Sequence, residues 1–353
     1  EAADLQRMIA EDEQDFQLAS WDWDYYTEKL RAARYDFDEN QLRPYFEVDN
    51  VLQKGVFFAA VKLYGLTFEE RTDLPVYQED VRVFEVYDAT GSTLALFIAD
   101  FYARPSKRGG AWMNAYISQS SLQGTQPIVA NHLNITKPTE GEATLLTFDE
   151  VTTMFHEFGH LFHHLLGTVE VADLNGTNVA WDFVELPSQI MENWCFEYSA
   201  LERFAKHYET GETLPKELFD KMNNARKFLT AQGTMRQLAF GKMDLELHLL
   251  EDEKFLQNLD EKVREIITGY TIPFACPDNL ILYRFGHIFG NPIGYASGYY
   301  SYKWAEVLEA DAYSKFLSDG PFSNGLWSNQ SMVTVVLSTP LPLVFSIKYL
   351  LSS

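Results

Sequence analysis

"TTMFHEFGHLFHHLLG", residues 152–167, holds four of the chain's eight histidines. Just upstream, Thr147 opens "TFDE", a capping-box pattern in which the Thr147 hydroxyl and the Glu150 carboxylate satisfy the first free amides of a helix. The helix is expected to run to Gly167, placed as a C′ residue. Val151, Met154, Phe155, Phe158, Phe162 and Leu165 form its core stripe. His156 and His160 are four apart, hence about 40° apart around the axis and one turn along it, so both imidazoles can reach one ion. Glu157 follows the first of them directly, where a carboxylate can take a proton from water beside an ion without being a ligand. This is the H-E-x-x-H pattern, whose chemistry suits hydrolysis. A histidine pair on a helix can also be a satisfied structural pair, so a third ligand has to be found. A metzincin would carry Gly at 163 and His at 166. His163 and Leu166 stand there instead, which removes that class and leaves His163 and His164 as supporting or surface groups.

The third ligand is sought in "NVAWDFVELPSQIMENWCFEYSALERF", residues 178–204, a second helical segment with acids at Asp182, Glu185, Glu192 and Glu197. Pro187 is best tolerated near a helix start, which makes Asp182 a candidate cap and puts Glu185 in or near the first turn. Glu192, seven positions later, shares its face. One of the two is a candidate ligand and the other a candidate partner that orients an imidazole. A solvated surface helix would also carry acids, but these stand among apolar and aromatic residues, where a carboxylate needs a partner.

The rest of the 353-residue chain fits a globular protein: 46% of its residues are hydrophobic and 15% aromatic. A net charge of −23 repels phosphate backbones and anionic membrane surfaces, so neither nucleic acid nor membrane is an expected partner. Cys195 and Cys276 form no C-x-x-C pair, in keeping with a reducing compartment. The opening "EAADLQRMIAEDEQDF" is polar and does not read as a leader, and the apolar stretch Met332 to Ile347 is short and holds Pro340 and Pro342, so it reads as buried chain. A cytoplasmic location is expected. Residues 1–80 read as helical. Residues 81–145 read as a small sheet of about four strands, with runs such as "VRVFEVYD" and "STLALFIADFY" between turns. Residues 146–320 return to helical periodicity, and 321–353 form a tail. These are regions of one catalytic domain, mainly α with a small β-sheet, an α+β fold.

Near its end stands "FGHIFGNPIGYASGYYSYKWAEVLEADAYSKF", residues 285–316. Its glycines make the front half a loop, while Tyr295, Tyr299 and Tyr302 fall at helical spacing. On spacing alone that stripe reads as core, although a phenol beside a metal could also stabilise an oxyanion.

"FHEFGH" (155–160), "DFVELPSQIMENW" (182–194), "GYASGYYSYKWAEVLEADAYSKF" (294–316) and "ARPSKRGGAWM" (103–113) together resemble the thimet oligopeptidase family of zinc metallopeptidases, its oligopeptidase A branch more than its peptidyl-dipeptidase branch. The resemblance covers about residues 15–318. It implies a zincin-like catalytic lobe with one Zn2+ per chain on His156, His160 and Glu185, and Glu157 as general base. It also implies Tyr302 as the group that stabilises the tetrahedral intermediate, Tyr295 and Tyr299 lining the substrate cleft, His287 near the substrate, and Glu192 behind the metal. The implied function is hydrolysis of bonds within short peptides by a monomer. Release of C-terminal dipeptides, or an inactive peptide- or metal-binding derivative, are the alternatives. Three departures stand out. Family members are near twice this length, the loop "HIFGNPIGY" replaces a shorter Gly-Gly link, and the wording after Gly320 leaves the family pattern.

Overall fold

Local sequence sets most of the helices in the computed structural model, which describes residues 1–276 and 280–322. Helices α1 (Ala2–Glu11) and α2 (Trp23–Tyr35) bury Leu5, Met8 and Ile9 on one and Trp23, Tyr26 and Leu30 on the other, and these side chains share one apolar cluster. The apolar run that follows begins as a π-helix over Asn50–Phe57 and continues as α3 (Phe58–Tyr64). Gly65 ends it at φ +70°, a left-handed position that glycine takes without a Cβ clash.

The sheet has five strands, one more than the sequence pattern suggests: β1 (Thr67–Glu70), β2 (Arg82–Tyr87), β3 (Thr93–Tyr102), β4 (Trp112–Ile117) and β5 (Ile128–Ile135). The extra strand, β1, lies within the stretch read as helical. "TFEE" has a single apolar side chain and so shows no alternation, yet Phe68 stacks on Phe57 with ring centroids 3.9 Å apart. The spatial order is β1-β2-β3-β5-β4. Only β3 and β5 run parallel; the other neighbours are antiparallel, and β4 is an edge.

Helix α4 (Phe148–Leu165) packs against β4 and β5, and Phe158 on its inner face meets Phe97 of β3 at 4.9 Å. Its start is the expected capping box: Glu150 N–H donates to Thr147 Oγ1 at 3.1 Å and Thr147 N–H to Glu150 Oε2 at 2.8 Å. Its end differs. The cap residue Leu166 is right-handed, and Gly167 has no left-handed φ. Gly167 instead makes room, because a Cβ there would lie 1.7 Å from Asn175 Oδ1.

Helices α5 (Trp181–Val184), α6 (Leu186–Glu192), α7 (Tyr198–Phe204), α8 (Lys216–Ala225), α9 (Thr230–His248), α10 (Leu259–Ile267), α11 (Gly286–Phe289) and α12 (Ser301–Asp319) complete the α-helices among the described residues, with short 3-10 turns between several of them. The chain divides into two compact units. One joins residues 1–41 to 216–304, and the other joins 42–215 to the described chain from Ala305 on. Residues 323–353, nearly all of the tail, lie outside the described residues. Among the described residues no helix is long and apolar enough to cross a membrane.

"ARPSKRGG" is tied to the sheet of the second unit by Asp100 of β3, which is 2% exposed. Its carboxylate accepts from Arg104 Nη1 and Nη2 at 2.7 and 2.9 Å, Lys107 Nζ at 3.0 Å and Tyr77 Oη at 2.8 Å, and lies 3.1 Å from His132 Nδ1. Burial would raise the Asp100 pKa, but the hydrogen bonds from Arg104, Tyr77 and Lys107 hold it well below the ordinary value. A depressed carboxyl pKa stabilises the fold above the unfolded value of about 3.9, and that stability is lost as pH falls toward the folded pKa. Asp100→Asn, which strands two cations in the same bed, should cost about 3–5 kcal/mol at pH 7. Urea unfolding followed from pH 7 to 3 should show the deficit narrowing below about pH 4. A deficit that stayed constant across that range would refute the charge argument.

Candidate metal centre

Glu185 stands at the junction of α5 and α6, with Pro187 in the first turn of α6. Asp182 lies inside α5 rather than capping the longer helix. The junction is brought onto α4 by Gly159, the third residue of the H-E-F-G-H run after His156. A Cβ at 159 would lie 2.2 Å from Pro187 O and 2.5 Å from Ser188 Cα, so the two helices meet backbone to backbone. Glycine inside a helix costs about 0.5–1 kcal/mol relative to alanine. That cost was the signal in the sequence for a close approach here.

This contact lets one carboxylate oxygen reach both imidazoles. Glu185 Oε2 lies 3.3 Å from His156 Nε2 and 3.2 Å from His160 Nε2. One ligand atom from each of the three residues falls within 4.8 Å of the others. The donor set, two imidazole nitrogens and a carboxylate oxygen, is one that suits zinc, and the edge of a tetrahedron with bonds of about 2.0–2.1 Å is about 3.3 Å. On both counts the residues fit the ion.

The surroundings fix the ligands. Glu192 Oε1 lies 2.7 Å from His156 Nδ1, which engages that nitrogen and leaves Nε2 for the ion. Glu192 thus faces the far nitrogen of His156, while Glu185 faces Nε2 of both histidines. Ser188 Oγ, buried and not picked out from the sequence, sits 2.8 Å from Glu185 Oε2 and restrains it. Burial opposes the charge on His156, yet the Glu185 and Glu192 carboxylates hold its pKa well above the ordinary value. Burial likewise opposes the charge on Glu185, but His160 and His156 hold its pKa well below.

Glu157, 5% exposed, points its Oε2 into the protein with no hydrogen-bond partner among the described residues. Burial raises its pKa, with His160 and His156 opposing. His163 and His164 are no ligands of the group. Burial drives them down to about 3 and about 4. Nε2 of His164 accepts from Thr177 N–H at 3.1 Å, and Gly176, at φ +56°, leaves space for the ring. A groove of about 1020 Å³ in the same unit, lined by Phe57, Phe58, Phe68, Lys54 and Arg203, carries none of the metal-centre residues.

The tyrosine segment belongs to the other unit. Residues 290–300 are bends and turns, the loop that the glycines suggested, and α12 begins only at Ser301. The side chains nonetheless gather. Tyr302 Oη lies 2.9 Å from His287 Nε2. Tyr295 stacks on Tyr302 at 5.4 Å and meets His287 edge-on at 4.4 Å, and Tyr299 is 5.1 Å from Tyr302. The four residues singled out from the sequence thus form one cluster.

Comparison with known proteins gives a match of the family described as Peptidase family M3 to residues 1–334, past Gly320, where the sequence wording departs. Dipeptidyl carboxypeptidase of Escherichia coli (strain K12) is 42% identical over 337 residues, covering 95% of this chain and 49% of that protein. Oligopeptidase A of Salmonella typhimurium is 44% identical over 311 residues, covering 87% of this chain and 45% of that protein. The chain spans about half the length of the curated relatives it matches.

Proposed function

Because the chain belongs to peptidase family M3, we propose that it is a zinc-dependent oligopeptidase hydrolysing bonds inside short peptides. The observation that carries this reading is the meeting of His156 Nε2, His160 Nε2 and Glu185 Oε2 beside Glu157, whose buried Oε2 has no hydrogen-bond partner among the described residues. Zinc bound there would supply Lewis acidity to the scissile carbonyl and to the attacking water. Glu157 takes the proton from water and returns it to the leaving amine. Glu192 keeps His156 in the tautomer that presents Nε2. Tyr302 donates its phenolic hydrogen to the oxyanion, Tyr295 and Tyr299 line the substrate cleft, and His287 stands by the substrate. We place the reaction in the cytoplasm, where thiols such as Cys195 and Cys276 stay reduced, and take the chain to act as a monomer.

The test is cleavage of a quenched fluorescent nonapeptide by the purified chain, with zinc assayed on the same sample. Chelation should abolish cleavage and added zinc should restore it. Undiminished cleavage after complete removal of metal would overturn the reading. The similarity to a dipeptidyl carboxypeptidase over 95% of the chain supports a second reading, removal of C-terminal dipeptides. Amidating the peptide's C-terminus separates the two, since only the exopeptidase should then stop.

A further inference from the structure

Helix α9 carries a stripe that the proposed reaction does not use: Gln237, Phe240, Gly241, Asp244 and His248, all on one face at spacings of three and four. Every member touches the chain between Phe285 and Tyr300. Gln237 Oε1 accepts from Tyr299 Oη at 2.6 Å. Phe240 meets the rings of Phe285 and Tyr299 at 5.0 and 5.8 Å. A Cβ on Gly241 would already lie 3.8 Å from Tyr300 Cα. The His248 ring stacks on Phe289 at 5.6 Å.

At the centre of the stripe Asp244 is 0% exposed. Its Oδ1 accepts from Ser297 N–H at 2.8 Å and its Oδ2 from Tyr299 N–H at 2.9 Å, while His248 Nδ1 lies 2.9 Å from Oδ1. Ser297 sits at φ +57°, a left-handed conformation that a serine adopts only when its surroundings hold it there. A fully buried carboxylate that binds two backbone amides on either side of Gly298 is such a restraint.

We propose that Asp244 is the positioning residue of the tyrosine segment: by holding the amides of Ser297 and Tyr299 it fixes the turn from which Tyr299 and Tyr302 are presented. This rests on the peptidase reading, in which Tyr302 donates to the oxyanion. Asparagine at 244 would keep one acceptor oxygen and set its NH2 against the other amide, so Asp244→Asn should release half of the anchor.

The experiment is a double-mutant cycle of Asp244→Asn with Tyr302→Phe in the full chain, read by peptide cleavage, zinc content and amide hydrogen exchange. Asp244→Asn should lower kcat about 10–100-fold with KM within about threefold and zinc unchanged. Exchange at Ser297 and Tyr299 should quicken at least about tenfold. Tyr302→Phe alone should lower kcat about 100-fold, and the double variant should fall little further, because Asp244 acts through the tyrosine. A purely structural role would give multiplicative losses instead. Losses that multiply, or exchange at the two amides that does not change, would overturn the proposal. If the parent chain cleaves no peptide, the peptidase reading fails, and exchange at the two amides alone still decides whether Asp244 anchors the segment. Asp244→Glu, which keeps both acceptor oxygens one methylene further out, covers the case in which Asp244→Asn does not fold, and should show the same pattern with smaller factors.

Discussion

Glu157→Gln is expected to retain one zinc ion per chain and to cleave peptides about 10²–10⁴-fold more slowly than the parent, the range that a positioned general base supplies. The substitution keeps shape and volume, so the packing of α4 on the sheet stays as it is. What it removes is basicity. Glu157 Oε2 is buried with no hydrogen-bond partner among the described residues, and burial raises its pKa, which makes the carboxylate a stronger base than an exposed one. Metal content and kcat measured on one preparation check this. Turnover at the parent's rate would show that another group takes the proton.

His160→Ala should lose both metal and turnover. With two of three candidate ligands left, zinc should be lost on dialysis, and the loss should reach beyond the ion. Glu185, 1% exposed, is kept ionised by His160 and His156 against the cost of burial. With His160 gone a buried charge has lost a partner, a change that costs about 3–5 kcal/mol. Thermal unfolding of the metal-free parent and variant isolates that part of the effect. Equal melting temperatures would mean that Glu185 finds another proton or partner, and the electrostatic account of the centre would need to change.

How far such a site can be read from sequence depends on how local its determinants are. Helix α4 was legible because its cap, its apolar stripe and its histidine pair all lie within one run of chain. Glu185 and Glu192 were legible only as a pair: seven residues apart, they share a face, and their division of labour comes from the contact of α6 with α4. That contact depends on Gly159, whose lack of a side chain says that something is close but not what. The strand β1 carries a single apolar residue and so gives no alternation to read. The tyrosines kept a helical spacing without a helix because the glycines and Pro292 between His287 and Tyr302 turn the chain instead. Asp244 left no trace in hydrophobic periodicity, since Gln237, Asp244 and His248 put polar atoms on the packed face of α9 and cancel the amphipathic signal. The division into two units joins residues 1–41 to 216–304, a pairing across the intervening 42–215 that local patterns do not encode.

The backbone contact at Gly159 bears on how the centre tolerates change. The main chain of α4 rests on Pro187 and Ser188, so the stretch that carries Glu185 is held at its distance from the histidine helix by backbone rather than by a side chain that could be exchanged for another. Any residue larger than glycine at 159 has to push that stretch away, and Glu185 with it. A position that offers no ligand atom thus sets where one of the candidate ligands starts.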